Sequence, residues 1–316
     1  MNVPAPTGTH GVRKDDSVIP SAEELLEYEG SPLWRDLVAR CQRAAVWVVS
    51  LGAVPRHVCL VPDGHRRFSR DTSTDLRRVY AVGAHKYAKM REWWFRAGVE
   101  VLSVFMFSVR NFSRNTFDMT SALNQANQIH VDIVDNVDAF RAMGMQSCAC
   151  GDLERLPEEL RASLARAEIA TSNIREKSLK RQVSCAAYNT TYQMSRMAQH
   201  LAKACPSAEL LLRSAGDQRF SDFEVLQCNY AYFHLGAKKW PAVGFPDWFR
   251  AMIEFQLMWP AIQAVKEKHV KMASYGSGRS DPEQVIRQRK FQRHVHAANI
   301  LNMERLAGLH EGLICQ

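Results

Sequence analysis

HVCLVPDGHRRFSR, residues 57–70, is the stretch whose reading decides the fold. Val58, Cys59, Leu60 and Val61 make a short apolar run that stops at Pro62, and Asp63-Gly64 follows with Arg66, Arg67 and Arg70 close behind. A run of this length and composition reads as a strand buried on both faces, the kind found in a parallel sheet. In an open α/β sheet the ligand crevice lies beyond the carboxyl ends of the strands, so the segment places a carboxylate beside arginines where polyanions bind. Taken alone it has an equally plain reading, an Asp-Gly turn followed by a solvated basic face.

Upstream, residues 1–20 are Pro-, Gly- and charge-rich without periodicity and are expected to be a disordered lead. Residues 21–55 read as an N-terminal helical segment: Ser21-Ala-Glu-Glu resembles a capping box, and Ser31-Pro32 opens a second helix running to about Ser50. Its apolar face includes Trp34, Leu37, Trp47 and Val48 and fits either packing on the domain or a membrane surface. Downstream, apolar runs at 100–107, 145–150, 182–187, 209–212 and 230–235 alternate with helical patterns at 84–97, 119–143, 157–173, 193–204 and 247–271. Strands alternating with helices predict an α/β fold with a mostly parallel sheet of six strands covered on both faces. Residues 56–273 form this domain, and 274–316 read as a linker and a basic helical tail with little core character.

Composition narrows the partners. The chain has 316 residues, 46% of them hydrophobic, and 41 Lys+Arg against 33 Asp+Glu, a formal charge of +8 that favours an anionic partner. Its eight cysteines lack CxxC pairs and read as reduced core residues, and His294 and His296 sit on different faces of a helix, which argues against a metal site there. The N-terminal stretch lacks the apolar core of a signal peptide, and no apolar run is long enough to span a bilayer, so the expectation is a soluble or peripheral protein.

Two further loops at strand carboxyl ends repeat the pattern of the first: FSVRNFSR at 107–114 and RSAGDQRFSDF at 213–223. Together with DGHRRF at 63–68, GDLERLP at 151–157 and the pair Trp240-Pro241, they resemble the cis-prenyltransferases, the undecaprenyl and dehydrodolichyl diphosphate synthases, over residues 31 to about 260. The RRF and SDF variants, the N-terminal helix and the long tail resemble the eukaryotic dehydrodolichyl branch. The resemblance implies a six-stranded parallel sheet, a dimer, Mg²⁺, and stepwise condensation of isopentenyl diphosphate onto an allylic diphosphate with a cis double bond formed each time.

The resemblance also implies roles. Asp63 matches the essential aspartate that binds the Mg²⁺–diphosphate, Gly64, Arg66 and Arg67 match the phosphate loop, and His85 matches a histidine serving the allylic diphosphate. Ser108 and Asn111 match the pair that positions condensation and proton loss, with Arg114 in the same motif, and Arg213, Arg219 and Ser221 match the residues holding isopentenyl diphosphate. The residue types suit this chemistry. Each fixed donor that meets a departing diphosphate lowers the barrier by roughly 3 kcal/mol, and arginine is always charged and bidentate. Each added five-carbon unit gains about 4 kcal/mol on leaving water. The family's tunnel lies between the helices matching 84–97 and 119–143, so Trp93, Trp94 and Phe95 are either core or tunnel wall.

Three departures bear on the site. His65 stands where the family has Asn and, beside a diphosphate, is expected to be partly protonated. Arg110 stands where the family has Glu and is expected to add a phosphate contact or to pair with Asp63 or Asp217. No Arg-x-Gly follows the last core helix, so completion of the site is expected from a Nogo-B-receptor-like accessory subunit, with a homodimer as the alternative. The expected setting is the cytosolic face of the endoplasmic reticulum membrane. Two other readings stay open, a non-catalytic scaffold subunit of the same fold and a nucleic-acid-binding α/β protein. The second lacks any RNA motif or recognition helix, so no nucleic-acid partner is expected.

Overall fold

A computed structural model describes residues 30–113, 116–174, 179–188, 206–221, 223–225, 227–274 and 282–309. The first strand, β1 (His57–Val61), is buried along its whole length, as its uninterrupted apolar character requires. It lies inside a six-stranded sheet with β2 (Val101–Ser108), β3 (Met145–Cys150), β4 (Lys180–Tyr188), β5 (Leu210–Arg213) and β6 (Tyr232–Leu235), ordered β3-β4-β2-β1-β5-β6. Every pairing is parallel. From β1 the chain goes first to β2 on one side, and only later to β5 on the other. The gap beyond the carboxyl ends of β1 and β5 is therefore the topological switch point, where ligands bind in such sheets.

The helices are α1 (Pro32–Ser50), α2 (His65–Thr72), α3 (Leu76–Ala97), α4 (Thr116–Asp135), α5 (Val137–Ala142), α6 (Glu158–Thr171), α7 (Phe245–Ser274) and α8 (Pro282–Leu306). Residues from α1, α3, α4 and α7 pack in one core with Val58, Leu60, Leu102 and Val104 of the sheet. The opposite sheet face, with Cys59, Cys185 and Leu211, packs among the described residues against Tyr188, Phe223 and Cys228. The helix expected at 193–204, the capping box at Ser21 and the lead at 1–20 lie outside the described residues.

The structure corrects or completes the sequence reading at several points. The arginine segment after Gly64 is a helix, α2, rather than a loop; it carries no buried residue, so hydrophobic periodicity could not reveal it. The helix expected at 84–97 begins at Leu76 because Asp75 caps it, accepting from the N–H groups of Arg77 (2.9 Å) and Arg78 (3.3 Å). Trp94 and Phe95 are core and Trp93 packs edge-on to Phe245, so this aromatic triplet packs beneath α7 and none of it lines the cleft described below. The tail is not purely a surface helix: Met303, Leu306 and Ala307 are buried in the core that α6 contributes to, and Asn299 donates to Glu168 (3.1 Å). Cys41, read as core, is exposed on α1.

Candidate active site

Gly64 closes β1 with φ +97°, a left-handed conformation that side chains disfavour, and a Cβ there would lie 2.8 Å from that of Ala215. This turn aims Asp63 across the switch point. β1 and β5 are in register at Val61 and Arg213, so the residue ending β5 stands beside the residue two beyond the end of β1. The Arg213 guanidinium, 2% exposed, donates to Asp63 Oδ2 at 2.6 Å and to Ser221 Oγ at 2.9 Å, and also to the Arg219 carbonyl. The Gly64 N–H donates to Asp63 Oδ1 at 2.7 Å. Burial works against the charge on Asp63, but the Arg213 guanidinium, a side-chain hydrogen bond with Asp217 and the Gly64 N–H outweigh it, and the carboxyl stays below the usual carboxylate range.

Asp217 is the hub of the remaining cations. Its Oδ2 lies 2.8 Å from Arg67, 3.3 Å from Arg219 and 3.6 Å from Arg213. Arg110 lies exposed on the cleft wall. Arg66 reaches Asp118 at the start of α4, at 3.2 Å. The Asn111 amide oxygen accepts the Ser108 N–H at 2.8 Å, and both residues are buried, so the pair expected from sequence is physically joined. Asp63, Gly64, His65, Arg66, Arg67, Ser108, Arg110, Asn111, Arg213, Arg219 and Ser221 all line one cleft of about 1230 Å³. His85 is half-buried on α3 and is not part of that wall, and Arg114 lies outside the described residues.

His65 sits in a stacked, desolvated setting. Its ring stacks on Tyr80 at 4.8 Å, and burial pushes its pKa down to about 4, so it is neutral at physiological pH in the unliganded protein. Gly83 makes this possible, because a Cβ there would come within 2.3 Å of His65 Nε2.

Several residues that build the site had no role in it assigned from sequence. Ser214 Oγ accepts the Asp63 N–H (2.8 Å) and donates to the Asp63 carbonyl (2.9 Å). Trp240 gives its backbone N–H to the Asp63 carbonyl (2.9 Å) and its indole N–H to the Gly83 carbonyl (2.8 Å), which ties β1, α3 and the Trp-Pro turn together. Behind the cationic mouth the cleft continues between α3, α4 and the sheet, lined by Leu76, Val104, Met106, Phe107, Met119, Ala126 and Ile129. It reaches Tyr87, His130, Gln182 and Ser184, polar groups that strand and helix patterns read as ordinary core.

His130 is fully buried, with Nδ1 2.7 Å from the Ala126 carbonyl and Nε2 2.9 Å from Ser184 Oγ. A carbonyl only accepts, so Nδ1 carries the proton and Nε2 accepts from the serine. Burial pushes this imidazole down to about 4, whereas an unfolded histidine titrates near 6.5. Between those values the unfolded chain binds the extra proton, so stability falls as pH is lowered. Going from pH 7 to 5 is expected to cost about 2 kcal/mol at this one residue, and His130→Gln to remove that part of the slope in denaturant unfolding. A slope the substitution leaves unchanged would contradict the assignment.

The family model described as putative undecaprenyl diphosphate synthase matches residues 61–259. The human dehydrodolichyl diphosphate synthase complex subunit is 22% identical over 254 residues, 73% of this chain and 75% of that protein. The short-chain Z-isoprenyl diphosphate synthase of Mycobacterium leprae is 26% identical over 230 residues, 65% of this chain and 86% of that protein. The crystal structure of lavandulyl diphosphate synthase from Lavandula x intermedia, in complex with dimethylallyl diphosphate, superposes with a TM-score of 0.57 at 21% identity, covering 64% of this chain and 95% of that one. The motif-bearing loops and the residues that line the cleft fall inside the matched segment, and the chain belongs to the cis-prenyltransferases, the undecaprenyl diphosphate synthase family.

Proposed function

We propose that this chain condenses isopentenyl diphosphate onto an allylic, farnesyl-type diphosphate and extends it to a long polyprenyl diphosphate of the dehydrodolichyl type, as the catalytic subunit of a heteromer. The observation that carries the reading is one cleft with two chemistries, an arginine-rich mouth around Asp63 and a hydrocarbon-lined channel behind it. Arg213, Arg219 and Ser221 hold the isopentenyl diphosphate. The Gly64 N–H, Arg66 and Arg67 hold the allylic diphosphate, with Arg110 on the cleft wall adding a further phosphate contact. Ser108 and Asn111, locked to each other, position the acceptor double bond and the proton that leaves.

Magnesium typically takes one or two carboxylates together with substrate phosphates and water. Asp63 fits that pattern as a carboxylate partly exposed to the cleft and kept ionised by its neighbours. When bound, Mg²⁺ would neutralise diphosphate charge as a Lewis acid.

The membrane face of the proposal rests on α1. Its side facing away from Val46 and Val49 exposes Leu33, Trp34, Leu37, Trp47, Val48 and Leu51, a surface suited to the interface of the endoplasmic reticulum membrane. Among the described residues no helix is long and apolar enough to cross a membrane. A partner subunit is supported by the human relative being named as the subunit of a complex.

The test is incorporation of labelled isopentenyl diphosphate into lipid with farnesyl diphosphate and Mg²⁺, with and without a candidate accessory subunit. Incorporation that requires Mg²⁺ and rises with the partner is the expected result. No incorporation in either setting would leave the scaffold reading, which the charge reversal at Arg110 favours.

A further inference from the structure

The last helix, α8, carries two kinds of surface. One face is docked: Asn299, Met303 and Leu306, spaced as neighbours along a helix, are buried, with Met303 and Leu306 in the core that α6 contributes to and Asn299 on Glu168. Near this contact the cations are neutralised, because Glu154 pairs with Arg305 of α8 and with Arg161 of α6. About 120° around the helix from the docked face lie Arg289, Lys290 and Arg293, with Ile286 and Ile300 in line with them.

These three cations are exposed, and among the described residues no carboxylate lies within ion-pair distance of any of them. Arg289 and Arg293 are four residues apart and Lys290 and Arg293 three, spacings at which like charges repel. Between and beside them Ile286, Ile300 and Leu301 are exposed. The surface therefore lacks two things, negative charge and an apolar layer. A nucleic acid would supply only the first and leave the apolar side chains in water. A bilayer with acidic headgroups supplies both, since long cationic side chains reach the headgroup level while the apolar ones enter the acyl boundary.

We propose that the outward face of α8, built on Arg289, Lys290, Arg293, Ile286 and Ile300, docks on a bilayer that carries anionic phospholipids. It deepens the membrane association proposed above and does not depend on the elongation chemistry. The exposed side chains of α1 that carry that association are apolar, and their burial is indifferent to headgroup charge. Helix α8 adds the charge selectivity that α1 lacks. Because Met303 and Leu306 fasten α8 to the core, lipid held at its outer face holds the rest of the chain as well.

The test is co-flotation of the full chain with vesicles of phosphatidylcholine alone and of phosphatidylcholine mixed with phosphatidylserine. It compares the parent with Arg289→Gln/Lys290→Gln/Arg293→Gln, which removes the charges, and with Arg289→Lys/Arg293→Lys, which keeps them. Each Lys or Arg near an anionic surface strengthens binding by about fivefold, so the parent should prefer the phosphatidylserine vesicles by at least about tenfold. The Lys variant should keep that preference and the Gln variant should lose it, with binding to neutral vesicles equal in all three. Added salt should weaken the preference of the parent and leave the Gln variant unmoved. No preference in the parent, or the same preference in the Gln variant, would overturn the proposal. A parent that ignores phosphatidylserine but binds RNA through these three cations would replace it with the nucleic-acid reading. Labelled isopentenyl diphosphate incorporation without vesicles is read separately, so a chain that selects anionic vesicles yet makes no prenyl product supports the docking face and overturns only the elongation reading.

Discussion

Asp63→Asn should lower turnover by about 10²–10³-fold while leaving the fold intact. The side chain keeps its size, and its amide oxygen can still accept from Arg213 and from the Gly64 N–H, so the turn around the left-handed glycine persists. What is lost is the negative charge, which is the property needed to hold a hard cation against a diphosphate. Asp63→Ala should show the same kinetic loss plus a modest loss of stability, about 1–2 kcal/mol, because Arg213 retains Ser221, the Arg219 carbonyl and Asp217 as partners. Initial rates beside thermal unfolding of both variants separate the two effects. An Asn variant that kept half the parental rate would remove Asp63 from the centre of the mechanism.

Arg213→Ala should be the more damaging change to the protein as a whole. This guanidinium is almost fully buried at the end of β5 and holds Asp63, Asp217, Ser221 and the Arg219 carbonyl together. Its removal leaves Asp63, at the mouth of the cleft, without its nearest counter-charge, a loss of about 3–5 kcal/mol where a buried pair is broken. It should also shift the ionisation of Asp63. With Arg213 present the carboxyl titrates below its ordinary value, so it contributes stability that is complete above the unfolded pKa and is lost as pH falls through the folded one. Without Arg213 the burial penalty dominates, the folded pKa rises, and the acid limb of the rate profile should move to higher pH. Arg213→Lys keeps the charge but not the planar fork, and is expected to rescue the fold better than the activity. Unchanged stability and pH profile in the Ala variant would show that the pair is incidental.

The placement of the arginines gives the two predictions a common basis. Arg67, Arg213 and Arg219 are held by Asp217 before any ligand arrives, so the cationic mouth is assembled in the free protein. Donors fixed in advance do not have to reorganise when charge develops on a leaving group. Arg66 is held separately, by Asp118, which ties the first turn of α2 to that of α4 across the entrance.

The order of elements was legible because buried strands and amphipathic helices leave periodic apolar patterns, and β3 was bounded correctly from its sequence alone. The cationic clusters were legible for the same local reason: each follows its strand within a few residues. Helix α2 was not, since a short helix with no buried face has no period to read. Nor was the fate of the aromatic triplet on α3, because a tryptophan looks the same in sequence whether it faces α7 or a tunnel.

The amino-acid sequence by itself determined that this is an α/β protein with arginine-rich clusters at the ends of three strands, because those properties are written in short-range composition. Only the tertiary structure decided that Asp63 and Arg213, 150 residues apart, share a hydrogen bond, that the His65 ring stacks on Tyr80, and that Gln182 and Ser184 open into a hydrocarbon channel. These are consequences of strand order and register. A parallel sheet brings distant residues side by side at a common level, and no local pattern records which strand will be the neighbour.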